Sequence, residues 1–121
     1  MLNCLCVGLG GFAGSILRYL VGLIPMDPEN GFPIKTLVIN ILGAFALGLI
    51  AAIAARDSTM DPRLVLMLKV GVCGGFTTFS TFAYEASSLM QNGQSALGIT
   101  YMLLSMLLGV SAVLLAQMIM N

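Results

Sequence analysis

The chain is expected to be an all-α membrane protein with four transmembrane helices, and three features of the sequence lead there. Of its 121 residues, 59% are hydrophobic and only 8% charged, against about a quarter charged in a soluble domain. Its mean hydropathy is +1.02. Its apolar residues fall into four runs, each near the ~20 residues that cross a bilayer core. Short stretches with prolines, glycines and most of the charge separate the runs. One transmembrane domain, residues 1–121, accounts for the length.

The same composition excludes several function classes. Formal net charge is zero and no basic tail is present, so nothing points to nucleic acid. Histidine is absent, which removes the commonest metal ligand and the usual general base. With no nucleophile–base pair and no nucleotide-binding loop, the chain does not read as an enzyme. Cys4, Cys6 and Cys73 are odd in number and lie among apolar neighbours. They read as small buried hydrophobes, not as a disulfide framework.

The first helix is expected over about residues 4–24. Its start lacks a basic segment and a small-residue cleavage site, so it reads as a retained span. Gly8, Gly11, Ser15, Arg18 and Gly22 recur at helical spacing and predict a bare face for close helix contact. Arg18 either snorkels to the interface or faces a water-filled vestibule, where it would concentrate anions. Three prolines and a glycine between Pro25 and Pro33 then delay the next helix.

The second helix is expected over about residues 34–55. Thr36, Asn40, Gly43 or Ala44, and Gly48 share one of its faces. An amide deep in an apolar helix needs hydrogen-bond partners. Asn40 is therefore either a tie between helices or a donor to a passing anion.

The third helix, about residues 64–90, contains Gly74-Gly75-Phe76-Thr77-Thr78-Phe79-Ser80-Thr81-Phe82. Two adjacent glycines and four hydroxyl residues are poor material for a lipid-facing helix. They predict a break near the middle, leaving two half-helices. Backbone groups freed there must be buried in protein or line a polar cavity. Half-helix ends carry partial charge and free carbonyls, which are ready ion ligands. The segment equally suits tight packing, with hydroxyls bonded back along the helix. Glu85, just beyond, is expected to pair with Arg18 or Lys69, or to sit at the interface.

The fourth helix is expected over about residues 96–120. Tyr101, Ser105 and Gly109, spaced by four, form a stripe that is either packing or a hydroxyl track. With four spans, Arg56, Arg63 and Lys69 fall on one side of the membrane, and Lys35 and Arg18 on the other. The Lys/Arg excess that normally sets orientation is close to nil. The expectation is a chain that inserts both ways and pairs head-to-tail, as an antiparallel dual-topology homodimer.

The run from Gly74 to Phe82 resembles the GGxTTFSTF signature of the Fluc (CrcB) fluoride channels. Gly10-Gly11-Phe12-Ala13-Gly14-Ser15-Ile16-Leu17-Arg18-Tyr19 is similar to that family's first-helix glycine/arginine pattern. Thr36-Leu37-Val38-Ile39-Asn40-Ile41-Leu42-Gly43 resembles its TLxVNxxG motif, with Ile39 where valine is usual. The resemblance spans essentially the whole chain. It implies a fluoride-selective channel of the bacterial plasma (inner) membrane that passively exports cytoplasmic fluoride and confers fluoride resistance. It also implies an antiparallel dimer with two pores. Phe79 and Phe82 would meet fluoride with their ring edges, Asn40 would donate a hydrogen bond, and Tyr101 and Ser105 would form a polar track, with Gly109 where some members carry a serine. A structural sodium ion would be held at the dimer centre by the backbone carbonyls of Gly74 and Thr77 from both subunits.

The alternative reading is a small dual-topology proton-coupled cation or drug exporter. Such a protein would want a membrane-embedded carboxylate, usually in its first span. Here that span holds only Arg18, and Glu85 comes late in the third. A non-conducting subunit would leave Asn40, Phe79, Phe82, Tyr101 and Ser105 as coincidences on separate helices.

Overall fold

Proline, glycine and short polar residues set the helix ends in the computed structural model, which describes residues 1–121. Helix α1 runs Leu2–Gly22 and stops before Pro25, with the Leu23 N–H turned back to Leu20. Helix α2 runs Ile34–Arg56 and ends where Asp57 becomes extended. Asp61 caps the next helix by accepting from the Arg63 N–H, with Pro62 in the first turn. That helix, α3, covers residues 62–76. Thr78 caps α4, Phe79–Gln91, by accepting from the Thr81 N–H. Gly93 at φ 80° makes the turn into α5, Ser95–Ile119. A non-glycine residue is disfavoured at such a φ.

There are no strands. Four segments are long and apolar enough to cross a membrane: Leu2–Gly22, Ile34–Arg56, Pro62–Gln91 and Ser95–Ile119. Only 15 of 121 residues are buried, so most of the apolar surface is left for lipid or a partner chain. Leu5, Leu9, Phe12 and Ile16 of α1 all face outward in this way.

Helices α1 and α3 meet backbone to backbone. A methyl group at Gly10 would overlap the Met67 carbonyl oxygen, and one at Gly14 would overlap the Val72 carbonyl oxygen. From the other side, a Cβ at Gly71 would lie 2.8 Å from Gly10 Cα, and one at Gly75 2.7 Å from the Gly11 carbonyl oxygen. Within α3, Met67–Cys73 winds as a wider π-helical coil, the kind of insertion that often marks a functional stretch.

This contact includes Gly11 and Arg18 of the expected α1 face and corrects the rest. Gly8 and Gly22 meet nothing within 4 Å, and the Ser15 hydroxyl bonds back to the Phe12 carbonyl on an exposed surface. The buried stripe is Gly10 and Gly14, which runs on to half-buried Arg18 at the same spacing of four. The helix carries glycines on two adjacent faces, and spacing alone does not rank them. The partner does, because the Met67–Phe76 backbone fits only where α1 lacks side chains.

Helix α5 lies along α2. A Cβ at Gly48 would stand 3.0 Å from Ala116 Cβ and 3.0 Å from the Val113 carbonyl oxygen. The core near the first loop is built from Leu37, Ala86, Leu89 and Tyr101, with Phe32 and Phe82 packed against it. Lys35 ties that loop to α1 by donating to the Gly22 carbonyl (3.0 Å) and to Asp27 (3.1 Å). In the second loop, the Thr59 hydroxyl and N–H hold the Asp57 carboxyl below its usual range.

Candidate functional site

The site starts from two residues that leave helical geometry. Thr77 has φ −78° and ψ 156°, and Thr78 has φ −146° and ψ 114°. Both lie between Phe76 and Phe79, deep in a membrane-length segment. Buried backbone groups there need partners. Asn40 supplies two for Thr78: its Nδ2 donates to the Thr78 carbonyl at 3.1 Å, and its Oδ1 accepts from the Thr78 N–H at 2.8 Å. The amide thus mimics a peptide unit and ties α2 to the extended pair. A primary amide has two N–H groups, so one remains free to act elsewhere.

The Thr77 N–H and hydroxyl both turn back to the Cys73 carbonyl, at 3.0 and 2.9 Å. The Gly75 carbonyl accepts from Arg18 Nε at 3.1 Å. The carbonyls of Gly74 and Thr77 accept none of the backbone hydrogen bonds made in turns, loops and caps. Gly74 is exposed on the surface of the protomer and Thr77 is half-buried.

A groove of about 440 Å³ opens beside this segment. Asn40, Thr77, Thr78, Phe79, Phe82 and Ser105 line it, and none of its lining residues is charged. Phe79 is 79% exposed, so its ring is presented outward. The rings of Phe79 and Phe82 are 5.8 Å apart and tilted by 53°. The Ser105 hydroxyl is buried and makes no hydrogen bond within the protein. A buried hydroxyl without a partner is costly, and such exceptions need a cause. Beyond Ser105, Met106 and Val113 form the α5 wall, so no further hydroxyl follows on that side.

Four of the expected residues, Asn40, Phe79, Phe82 and Ser105, therefore meet at one groove. Tyr101 stands behind it. The residue is fully buried, its ring meets Phe82 edge-on at 5.1 Å, and its hydroxyl donates to Glu85 Oε1 at 3.0 Å. Arg18 lines a second pocket of about 290 Å³ together with Lys35, Thr36, Thr78, Thr81 and Glu85.

Glu85 pairs with neither Arg18 nor Lys69. It accepts from the hydroxyls of Thr36 (3.0 Å) and Tyr101 (3.0 Å). Sequence reasoning missed this because the partners stand 49 and 16 residues away. The usable signal was that an acid within an apolar helix needs donors, and Thr36 sits one turn from Asn40 on the inner face. Tyr101→Phe keeps the ring and removes one donor. It is expected to destabilise the detergent-solubilised protein by about 1–3 kcal/mol, the usual cost of leaving a buried polar group without its partner. A thermal melt checks this, and an unchanged midpoint would mean that water replaces the hydroxyl at no cost.

A family model described as "CrcB-like protein, Camphor Resistance (CrcB)" matches residues 5–117. A fluoride-specific ion channel, FluC, from Chlorobaculum tepidum is 47% identical over 95 residues, covering 78% of this chain and 75% of the relative. FluC of Ruminiclostridium cellulolyticum is 40% identical over 120 residues, covering 98% and 92%. FluC of Clostridium perfringens (strain 13 / Type A) is 42% identical over 107 residues, covering 88% and 84%.

Proposed function

The chain belongs to the CrcB-like family, and on that basis we propose that it is a fluoride-specific ion channel, not an enzyme. The observation that carries the proposal is the uncharged groove where Asn40, Phe79, Phe82 and an unpartnered Ser105 hydroxyl converge. Fluoride is small and strongly hydrated, so a path through the membrane must replace water with donors. The free N–H of Asn40 and the Ser105 hydroxyl are full donors. Phenyl edges carry partial positive charge and add weak attraction. Without a cationic side chain in the groove, binding stays weak enough for release, as conduction requires. Conduction is passive, and export of cytoplasmic fluoride follows its gradient across the bacterial inner membrane.

The groove is open on the protomer's surface, and one ring of the pair is almost fully exposed. A second copy inserted in the opposite sense is the simplest wall for it, and two-fold symmetry then gives two pores. The near-equal basic charge at the two membrane faces favours insertion both ways. In that assembly the break at Thr77 and Thr78 would lie at the two-fold axis. The carbonyls of Gly74 and Thr77 fit a hard monovalent cation there, four oxygens in all from two copies. Sodium so held would supply fixed positive charge that offsets carbonyl charge near the anion path.

Phe79→Ile and Phe82→Ile keep apolar bulk and remove the ring edges. Each is expected to cut fluoride efflux from reconstituted vesicles by at least about tenfold, the effect of ~1.4 kcal/mol on the barrier. Wild-type efflux from both variants would dismiss the ring-edge assignment.

A further inference from the structure

The two rings at the groove belong to a longer chain of four. Phe79 meets Phe82 at 5.8 Å, Phe82 meets Tyr101 at 5.1 Å, and Tyr101 meets Phe32 at 5.5 Å in an edge-on contact of 77°. Phe32 is the outlier by position. It lies in the first loop, outside every membrane-length segment, yet it packs against the buried cluster of Leu37, Ala86, Leu89 and Tyr101.

The loop is tied down around it. The Phe32 N–H donates to Asn30 Oδ1 at 3.0 Å, and Gln94 Nε2 reaches across from the turn before α5 to the Asn30 carbonyl at 3.0 Å. These two bonds fix where the Phe32 ring sits. Tyr101 is then held at three points: its hydroxyl on Glu85, one ring contact to Phe32 and one to Phe82. Aromatic pairs favour offset or edge-on geometry and resist rotation away from it. Tyr101 therefore transmits the position of the loop ring to Phe82, whose edge forms part of the groove.

We infer that Phe32 is a positioning residue for the anion path, setting the tilt of Phe82 through Tyr101. The inference rests on the channel reading above. Loss of the ring at position 32 leaves a gap beside Tyr101, and the pair beyond it gains rotational freedom. An apolar filler of similar volume restores packing but not the edge-on contact. A tyrosine restores both, since Phe32 is half-buried and lines the loop groove beside Asp27 and Asn30, where a hydroxyl can be solvated.

The test is fluoride efflux from vesicles carrying wild type, Phe32→Leu, Phe32→Met, Phe32→Tyr or Asn30→Ala. Phe32→Leu and Phe32→Met are both expected to slow efflux about three- to tenfold, the range of one lost edge-on pair. Phe32→Tyr is expected to stay within about twofold of wild type by the same reasoning. Asn30→Ala, which only loosens the loop, should fall between them. Rescue by Met would reduce Phe32 to core filler and overturn the inference, as would wild-type efflux from Phe32→Leu. Should Phe32→Leu and Phe32→Met fail to fold, wild-type efflux from Asn30→Ala overturns it. Failure of the wild-type vesicles to pass fluoride would instead reject the channel reading, and this inference with it.

Discussion

Asn40→Ala is expected to abolish measurable fluoride efflux. The substitution removes both bonds to Thr78 and leaves its N–H and carbonyl without partners inside the membrane. An unsatisfied buried group costs about 1–3 kcal/mol, and here there are two. The extended pair at Thr77 and Thr78 would relax, taking the α4 cap and the Phe79 ring with it. The anion path would also lose its one free amide proton donor. Asn40→Asp keeps one of the two bonds. Its carboxylate still accepts from the Thr78 N–H, but it sets an oxygen against the Thr78 carbonyl, loses the donor and places negative charge in the groove. Both variants should therefore be inactive and melt below wild type. Substantial efflux from Asn40→Asp would show that the amide proton is not needed by the anion.

Gly14→Ala is expected to have the largest effect on folding. The new methyl would overlap the Val72 carbonyl oxygen, and it would stand 2.8 Å from the Phe76 backbone nitrogen. Both obstacles are backbone, so no side-chain rotation relieves them. Overpacking by a methylene ordinarily costs about 1–3 kcal/mol, and a backbone clash should exceed that. Helix α1 would be pushed off α3, and the Arg18 bond to the Gly75 carbonyl (3.1 Å) would break with it. Gly22→Ala is the control, since a methyl there meets open space. Loss of monodisperse protein for Gly14→Ala, with Gly22→Ala behaving as wild type, is the predicted pattern. A well-behaved Gly14→Ala protein would show that α1 and α3 are further apart than the Gly14–Val72 approach requires.

Much of the fold was legible in the sequence, because each element is bounded by strong local signals. The prolines from Pro25 to Pro33, the Asp61-Pro62 cap and the Asn92-Gly93 turn separate four apolar runs with little ambiguity. The site was legible in part. The run from Gly74 to Phe82 marks itself through adjacent glycines and hydroxyls in an apolar setting. Asn40 marks itself by the cost of a bare amide. What stayed hidden depends on pairing across the chain. The choice between two glycine faces on α1 is made by the backbone of α3, which no spacing within α1 encodes. The two hydroxyls that hold Glu85 come from α2 and α5. Phe32 gives no signal at all from within its loop. Its role follows only from where Tyr101 lies.

The most direct test of the account is release of anion from vesicles loaded with potassium fluoride and reconstituted with purified wild-type chain. A fluoride electrode follows the release after a potassium ionophore removes the opposing voltage. Rapid fluoride release that stops when the protein-bearing vesicles are empty is expected, with matched chloride-loaded vesicles at the level of protein-free liposomes. Fluoride release no faster than that background, or chloride release as fast as fluoride release, would rule out a fluoride-selective channel.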